Sequence, residues 1–234
     1  MSSGVKASKR PVAVFDIDGT IFRSSLLIEL VDGLIMQGVF PSSARKVYAV
    51  EYKRWLNRED SYDKYVAKVV AAYSRYIKGV RDERIWRVAR RVMSFHQRRL
   101  YRYTRDLLVR LQRTHFLIAI SWSPVEIVAP FCRELGFNKV YGRVYAVDKK
   151  MRFTGKEMYE DLVNNKSKIL RRALKKEDLT LKGSVGVGDS ESDISFLKMV
   201  ERPIAFNPNT KLYRVAKKRG WLVVVERKDM IYVL

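Results

Sequence analysis

The sequence of 234 residues predicts an α/β fold, a doubly wound parallel sheet with an inserted all-helical cap domain. Two observations predict it. Short apolar runs typical of buried strands alternate with segments of helical periodicity after residue 105. The first strand, by contrast, precedes about 80 residues of purely helical spacing, which is too long for a simple connection between strands. We therefore expect one sheet whose first connection has become a separate helical unit.

The predicted elements follow one another along the chain. Residues 11–22 contain the first strand and its turn, and residues 25–105 have apolar side chains at helical spacing. Further strands are expected at 116–121, 184–189, 203–207 and 221–225, with an extended segment at 139–147 and a hairpin arm that reaches Thr154. Helices are expected at 106–113, 166–176 and 212–219.

These elements divide the chain into two predicted domains. Residues 1–22 and 106–234 are expected to form the α/β core, and residues 23–105 the helical cap. Within the core a helix start is predicted after the strand at 116–121, with Ser123 as N-cap and Pro124 as the first helical residue. Residues 1–10 lack the apolar stretch of a signal peptide, and we expect a mobile tail there.

The composition restricts the class of protein. Lys and Arg number 47 against 25 Asp and Glu, a formal net charge of +22, which attracts anions of any kind. Residues 45–105 alone contain 18 Lys or Arg and 6 Asp or Glu. The single cysteine, Cys132, excludes an intrachain disulfide, and no run is apolar and long enough for a transmembrane helix. We therefore expect a cytoplasmic protein.

Polar residues suited to phosphate chemistry follow three of the predicted strands. Asp16 and Asp18 come directly after the first apolar run, and two carboxylates so close repel each other unless a cation or a shared proton relieves them. The other two groups are Ser121-Trp122-Ser123 and Asp189-Ser190-Glu191-Ser192-Asp193, with Lys166 on the helix before the latter. In a parallel sheet these strand ends face one crevice, which predicts a metal site with a carboxylate nucleophile. The simpler alternative is an acidic turn in which Asp caps a helix.

These residues resemble motifs of the haloacid dehalogenase superfamily of phosphohydrolases, and most of all its branch with a helical cap after strand one, which includes the phosphoserine phosphatases. The matching segments occur in the family's order and extend over essentially the whole chain: Asp16-Ile-Asp18-Gly-Thr20, Ile-Ser121-Trp-Ser-Pro, Asn-Lys166-Ser-Lys-Ile-Leu, Gly-Asp189-Ser-Glu-Ser-Asp193, Pro203-Ile-Ala-Phe-Asn207-Pro and Gly220-Trp221. The cap resembles that branch in length and helical character alone.

The resemblance implies a phosphomonoester hydrolase that works through an aspartyl-phosphate and Mg²⁺. Asp16 would be the nucleophile, and Asp18 the general acid and then the general base. Mg²⁺ would be held by the Asp16 carboxylate, the Asp18 backbone carbonyl and Asp189, while Asp193 would orient a metal-bound water or Lys166. The residues implied to bind phosphate and substrate are Thr20, Ser121, Trp122, Lys166 and Ser192.

Structural explanations compete with several of these roles. Ser121 would also suit a strand-end cap, and Asp193 the N-cap of the next helix. Lys168 rivals Lys166, because two residues so spaced on a helix cannot both face the crevice. His96 and His115 lack the spacing of metal ligands and are expected to be structural.

The expected cap departs from the resemblance at the substrate-binding positions. Phosphoserine phosphatases bind the substrate amine through a cap glutamate nine residues after the nucleophile, where this chain has Ser25. Glu29, one helical turn later, is a weak substitute, and no arginine occurs between Arg58 and Arg75, where the ligand of the substrate carboxylate is expected. The sequence therefore predicts a small phosphomonoester as substrate and argues against phosphoserine.

Two other functions remain open at this point. The basic cap favours a polyanion, such as a nucleotide, nucleic acid or phospholipid headgroup, so a binding protein on a retained scaffold is one alternative. A phosphotransferase with the same aspartyl-phosphate is the other. Arg84, Arg87 and Arg91 form one basic helix face, which is either a solvated surface or a steering surface. Among the basic residues lie aromatic ones that would either stack on bases or form the cap core, namely Tyr48, Tyr52, Trp55, Tyr62 and Tyr65.

Overall fold

A sheet of eight strands forms the centre of the protein in the computed structural model, which describes residues 9–159 and 165–234. The strands are β1 (Pro11–Phe15), β2 (Phe116–Pro124), β3 (Lys139–Val147), β4 (Phe153–Met158), β5 (Thr180–Gly188), β6 (Arg202–Phe206), β7 (Leu222–Arg227) and β8 (Met230–Val233). They lie in the order β4-β3-β2-β1-β5-β6-β7-β8. The inner pairs are parallel, and the outer pairs β3–β4 and β7–β8 are antiparallel. The prediction of a mostly parallel sheet is confirmed.

Helices surround this sheet. Their ranges are α1 (Leu26–Met36), α2 (Ala49–Leu56), α3 (Tyr62–Ile77), α4 (Asp82–His96), α5 (Arg102–Gln112), α6 (Val125–Glu134), α7 (Lys166–Lys176), α8 (Ile194–Leu197) and α9 (Thr210–Arg219). Short 3₁₀ segments occupy Ser42–Val47 and Glu191–Asp193. Between β1 and β2, a stretch that the structure describes throughout, every regular element is a helix, as predicted for the insertion.

The two faces of β1 contact different apolar clusters. Ala13 and Phe15 belong to a cluster with α1, α3, α4 and α6, whereas Val12 and Val14 belong to a cluster with α7, α8 and α9. Successive side chains of a strand point to opposite faces, so a strand covered on both sides must be apolar throughout. The first cluster also contains Tyr73 of the inserted helices, so these helices and the sheet share one apolar core. The division into two domains stays a prediction.

The predicted start of α6 is wrong. β2 continues to Pro124, which is extended and precedes the helix, so Ser123 lies in the strand and is not the N-cap. The Ser123 hydroxyl instead donates a hydrogen bond to Asp18 Oδ2 at 2.9 Å and accepts one from the Leu27 N–H at 3.1 Å. Ser and Pro in sequence are typical of a helix start, but here tertiary hydrogen bonds have replaced the local cap.

The structure also bears on the predictions for membrane spans, Cys132, His115 and the N-terminal tail. No helix in the described ranges is long and apolar enough to cross a membrane. Cys132 is fully buried in α6. His115 is buried and its Nε2 lies 3.0 Å from the Gly183 carbonyl oxygen, which agrees with a structural role. The tail predicted at residues 1–10 lies almost wholly outside the described residues.

Candidate active site

Three parallel strands bring the predicted site residues to one edge of the sheet. Phe15 at the end of β1 lies beside Ala119 of β2 on one side and Val187 of β5 on the other. Asp16 follows β1, and Asp189 follows β5. The side chains that follow these strands therefore meet at the point where the strand order reverses, with β2 on one side of β1 and β5 on the other.

Lys166 joins two buried carboxylates at this edge. Its Nζ lies 2.6 Å from Asp16 Oδ1 and 2.6 Å from Asp193 Oδ1. All three side chains are buried, so the charges attract through a medium that screens them weakly. Burial alone would lower the pKa of Lys166, but the negative charges of Asp16 and Asp193 raise it above its ordinary value. Lys168, its rival in sequence, lies exposed on α7.

Asp16, Asp189 and Asp193 form a cluster of carboxylates with an excess of negative charge. One oxygen of each lies within 4.8 Å of the others. Burial raises the pKa of Asp16 to about 7, with Lys166 opposing the shift and Asp193 and Asp18 adding to it. Burial, together with the charges of Asp16 and Asp193, also raises the pKa of Asp189 well above its ordinary value. Such a cluster, with one lysine against three carboxylates, fits a divalent cation with oxygen ligands.

Gly19 lets the carboxylate of Asp189 approach the loop after β1. Its φ is +79°, a conformation that favours glycine, and a Cβ at this position would lie 2.2 Å from Asp189 Oδ2. The carboxylate of Asp193 is held from the other side, because its Oδ2 accepts hydrogen bonds from the N–H groups of Asp189 and Ser190 at 3.0 Å. Both oxygens of Asp193 are therefore engaged, which suits a positioning role more than a direct metal contact.

Asp18 points away from the carboxylate cluster. Its Oδ2 accepts hydrogen bonds from the hydroxyls of Ser121 at 2.7 Å and Ser123 at 2.9 Å, and its Oδ1 accepts one from the Leu26 N–H at 2.5 Å. Burial raises the pKa of Asp18, although these three hydrogen bonds lower it in part. The side chain of Asp18 is therefore held by residues of β2 and α1.

The predicted phosphate-binding residues occupy different surroundings. Ser121 is buried, and its hydroxyl donates to Asp18 and accepts from the Ser123 N–H. Trp122 is 40% exposed, and Lys166 Nζ lies 5.5 Å from the centre of its ring. Ser192 lies within hydrogen-bonding distance of the Ser190 hydroxyl, 2.9 Å away. Thr20 is fully buried, and its carbonyl accepts a hydrogen bond from Thr104 at 2.8 Å.

A cavity of about 490 Å³ opens above these residues, and we call it the active-site cavity. Asp16, Asp18, Lys166, Asp189 and Ser192 line its sheet side. The apolar part of its lining consists of Leu27, Tyr62, Val66, Ala67 and Val70 from helices and Trp122 from β2. The cavity thus combines buried charged side chains with an apolar part of its lining.

Sequence reasoning does not predict that Arg143 lines this cavity, nor that Ser123 contacts Asp18. Ser123 belongs to the segment suited to phosphate chemistry, but its local pattern favours a helix cap. Arg143 comes from β3, where the sequence signals nothing beyond an extended segment, and it pairs with Glu157 at 2.8 Å. The arginine of this cavity therefore comes from the sheet, and not from residues 58–75 of the predicted cap, where the resemblance implies one.

Ser25 and Glu29, the two positions considered for binding a substrate amine, have different surroundings. Ser25 is buried and lines the active-site cavity. Glu29 is already paired, since its Oε1 lies 2.8 Å from Arg99 Nη1 and its Oε2 lies 3.3 Å from His96 Nε2. Glu29 therefore holds two side chains of α4 and the following turn, which explains why His96 is structural here.

Comparison with known proteins places this chain in a family. Haloacid dehalogenase-like hydrolases match the chain over residues 13–198. The chain belongs to this family. It is 26% identical to a phosphoserine phosphatase of Mycobacterium tuberculosis over 89% of its own length and 68% of that protein. It is 23% identical to a histidinol-phosphatase of Neisseria meningitidis, over 91% and 97% of the two chains.

A solved structure shares the fold of this member of the haloacid dehalogenase-like hydrolases. It is a phospho-aspartyl intermediate analogue of phosphoserine phosphatase, with a TM-score of 0.61 and 20% identity over 95% of this chain and 96% of that one. The α/β fold class is thereby confirmed, and the family with its phosphatase relatives confirms that the chain is a phosphatase. Binding of a polyanion finds no support in these comparisons, and Arg84, Arg87 and Arg91 are exposed to solvent.

Proposed function

We propose that this phosphatase is a Mg²⁺-dependent phosphomonoester hydrolase that works through an aspartyl-phosphate on Asp16. The observation that carries the proposal is the buried cluster in which Lys166 bridges Asp16 and Asp193 at 2.6 Å beside Asp189. A carboxylate held by a buried lysine at a strand end supports this role, because a nucleophile must be fixed in position before it reacts. The helical segment 23–105 would act as the cap of a cytoplasmic enzyme.

In the first step Asp16 would attack phosphorus. A bond forms between a carboxylate oxygen of Asp16 and phosphorus, and the bond from phosphorus to the leaving alcohol breaks. Lys166 supports this step because its Nζ contacts Asp16 Oδ1 and leaves the other oxygen to react. Its positive charge also offsets the repulsion between the phosphate dianion and the nucleophile.

Asp18 would transfer the protons. Its raised pKa keeps a proton on the carboxyl group at higher pH than usual, so it can protonate the departing alkoxide. The resulting carboxylate then takes a proton from the water that cleaves the aspartyl-phosphate and returns Asp16 to its initial state. Ser121, Ser123 and the Leu26 N–H support this role because they hold the side chain in one orientation.

The residues proposed to hold Mg²⁺ are Asp16, the backbone carbonyl of Asp18 and Asp189. The raised pKa values of Asp16 and Asp189 support this set, since burial and the neighbouring carboxylates both disfavour the charged forms, which a cation would favour. The ion, when bound, would supply positive charge that draws the anionic phosphate toward the anionic nucleophile. Asp193 would keep Lys166 and the Asp189 backbone in place.

The first substrates to test are phosphoserine and histidinol phosphate, which the names of the two relatives suggest. Serine at position 25 and the paired state of Glu29 argue against recognition of an amino acid in the manner of phosphoserine phosphatases. A small phosphomonoester with a partly apolar leaving group agrees better with the apolar part of the lining of the active-site cavity.

Phosphate release from a panel of phosphomonoesters, with and without Mg²⁺, tests this proposal. We expect the wild type to release phosphate only with a divalent metal, and Asp16→Asn to lose activity by about 10⁴-fold or more, as for other catalytic nucleophiles. Asp106→Asn is the matched control, because Asp106 is exposed on α5 and is well separated from Asp16 in the sequence. Metal-independent release, or an active Asp16→Asn variant, would refute the mechanism.

A further inference from the structure

A second cavity of about 810 Å³ adjoins the active site, and we call it the aromatic cavity. Tyr62 and Asp189 line both cavities, so the two meet at the proposed metal site. Gly19 also lines the aromatic cavity, which brings the loop after β1 to its edge. The proposed reaction uses none of the other side chains that line this cavity, so its shape needs a separate explanation.

One wall consists of aromatic rings that contact one another. Trp55 and Tyr65 are stacked, with ring centroids 5.6 Å apart and an angle of 13° between the planes. Tyr52 contacts Tyr65 at 5.2 Å, and Tyr62 contacts Trp55 at 5.2 Å. Tyr65 is buried, but Tyr52 is 41% exposed and Tyr62 37% exposed. The cluster is therefore not a closed core, and rings left open to a cavity offer faces on which a planar group can stack.

Three arginines also line the aromatic cavity, and two of them are paired with carboxylates. Arg45 lies 3.6 Å from Asp32, and Arg99 lies 2.8 Å from Glu29. Arg23 lies 5.7 Å from the centre of the Tyr101 ring, and no ion pair involves it in the ranges 9–159 and 165–234. A guanidinium that stacks on a ring keeps its N–H edge free to bind an anion, so Arg23 has unused capacity for a negative group.

From these contacts we propose that the aromatic cavity binds the leaving group of the substrate, and that this group contains a planar ring and a second negative charge. The inference rests on the proposed hydrolase function and names the class of its substrate. The ring would stack on the wall formed by Tyr52 and Trp55, and the negative charge would pair with Arg23. The phosphate would remain in the active-site cavity, on the other side of Tyr62.

A matched series of alkyl phosphates tests the inference: ethyl phosphate, benzyl phosphate and 4-carboxybenzyl phosphate. Each has a primary alcohol as its leaving group, so the series varies the ring and then the charge. We expect Trp55→Leu to lower the ratio of kcat/KM for benzyl to ethyl phosphate by about tenfold, as for one lost stacking contact. Arg23→Gln should lower the ratio for 4-carboxybenzyl to benzyl phosphate by about tenfold, as for a lost charge-assisted hydrogen bond.

Two controls keep the test decisive. Trp221→Ala removes a half-buried tryptophan from another cavity, and Arg84→Gln removes an exposed arginine from a third. Neither substitution should change the two ratios of kcat/KM. Should Trp55→Leu fail to fold, Tyr52→Leu replaces it, since Tyr52 is more exposed. Unchanged ratios in the cavity variants, or turnover of ethyl phosphate alone, would overturn the inference and leave the hydrolase standing. Absence of turnover of every phosphate by the wild type would instead refute the proposed function itself.

Discussion

The two cavities that meet at Tyr62 and Asp189 are built from different kinds of structure. In the active-site cavity, Asp16, Lys166 and Asp189 are held at strand ends or at the start of a helix, and buried partners fix them. In the aromatic cavity most of the wall comes from the inserted helices, and several of its rings and arginines are exposed. Positions that parallel strands fix tolerate little change, whereas helix surfaces vary without disturbing the sheet.

We therefore expect the sheet edge to determine the reaction and the aromatic cavity to determine the choice of substrate. Substitutions at the sheet edge should act on kcat, because they displace groups that react. Substitutions in the aromatic cavity should act on the choice between substrates. A substitution at the sheet edge that changed only the choice between substrates would contradict this expectation.

Among the substitutions that compare the two cavities, the largest effect is expected for Lys166→Met. Removal of the ammonium leaves Asp16 and Asp193 as adjacent buried anions without their cation. We expect kcat to fall by about 10²- to 10³-fold, as when one preorganised electrostatic contact is lost. Steady-state kinetics of Lys166→Met and of Lys168→Met measure the difference, because Lys168 is exposed on the same helix. Equal losses in the two variants would show that charge alone matters and position does not.

A smaller effect is expected for the buried Glu126, which lies where the sheet and the inserted helices meet. Burial raises the pKa of Glu126 from 4.5 to about 7, and the charge of Asp82 on α4 adds to the shift. The folded state therefore binds the proton more tightly than the unfolded state, so this stability is present below pH 4.5 and is lost as pH rises through 7. The loss amounts to about 3 kcal/mol of unfolding free energy.

Urea unfolding at pH 4.5 and pH 8 tests this expectation with Glu126→Gln. The variant should lose about 3 kcal/mol less stability than the wild type between these pH values, because glutamine does not titrate. Glu134→Gln, at an exposed position on the same helix, should follow the wild type. If Glu126→Gln also followed the wild type, Glu126 would titrate normally and the junction would be wetter than the structure indicates.

The smallest of these effects is expected for Ser123→Ala. It removes one of three hydrogen bonds to Asp18 and the acceptor of the Leu27 N–H. We expect kcat to fall about tenfold, since one hydrogen bond to a charged group is lost while two remain. Ser94→Ala, at an exposed position on α4, is the control in the same phosphate-release assay. An unchanged kcat would mean that Ser121 and Leu26 orient Asp18 without help.

The mostly parallel sheet and most residues of the candidate site could be predicted from the sequence for a physical reason. Strands buried on both faces are continuous apolar runs, and polar residues directly after them must lie at one edge of a parallel sheet. β8 escaped prediction because its side chains are mostly exposed at the sheet edge. Edge strands lack the apolar signal that marks buried ones.

The residues that escaped prediction depend on contacts between distant parts of the chain. Ser123 and Pro124 have the local pattern of a helix start, and only the proximity of Asp18 reveals the role of the hydroxyl. Glu126 lies in the first turn of α6, where an acidic residue is usual and exposed. Here it is buried, close to Tyr73 of α3 and Asp82 of α4. Arg143 enters the active-site cavity from β3, which no local pattern signals. Local sequence therefore identifies the chemistry better than it identifies the surroundings.

The proposed mechanism depends on an aspartyl-phosphate on Asp16, and rapid acid quench within the first turnover would trap it. Peptide mass spectrometry should then find one phosphoryl group on the peptide that contains Asp16, decaying as free phosphate appears. The same label should be absent from Asp16→Asn. Release of phosphate in the first turnover without a phosphorylated peptide, or with the phosphoryl group on another residue, would contradict the account.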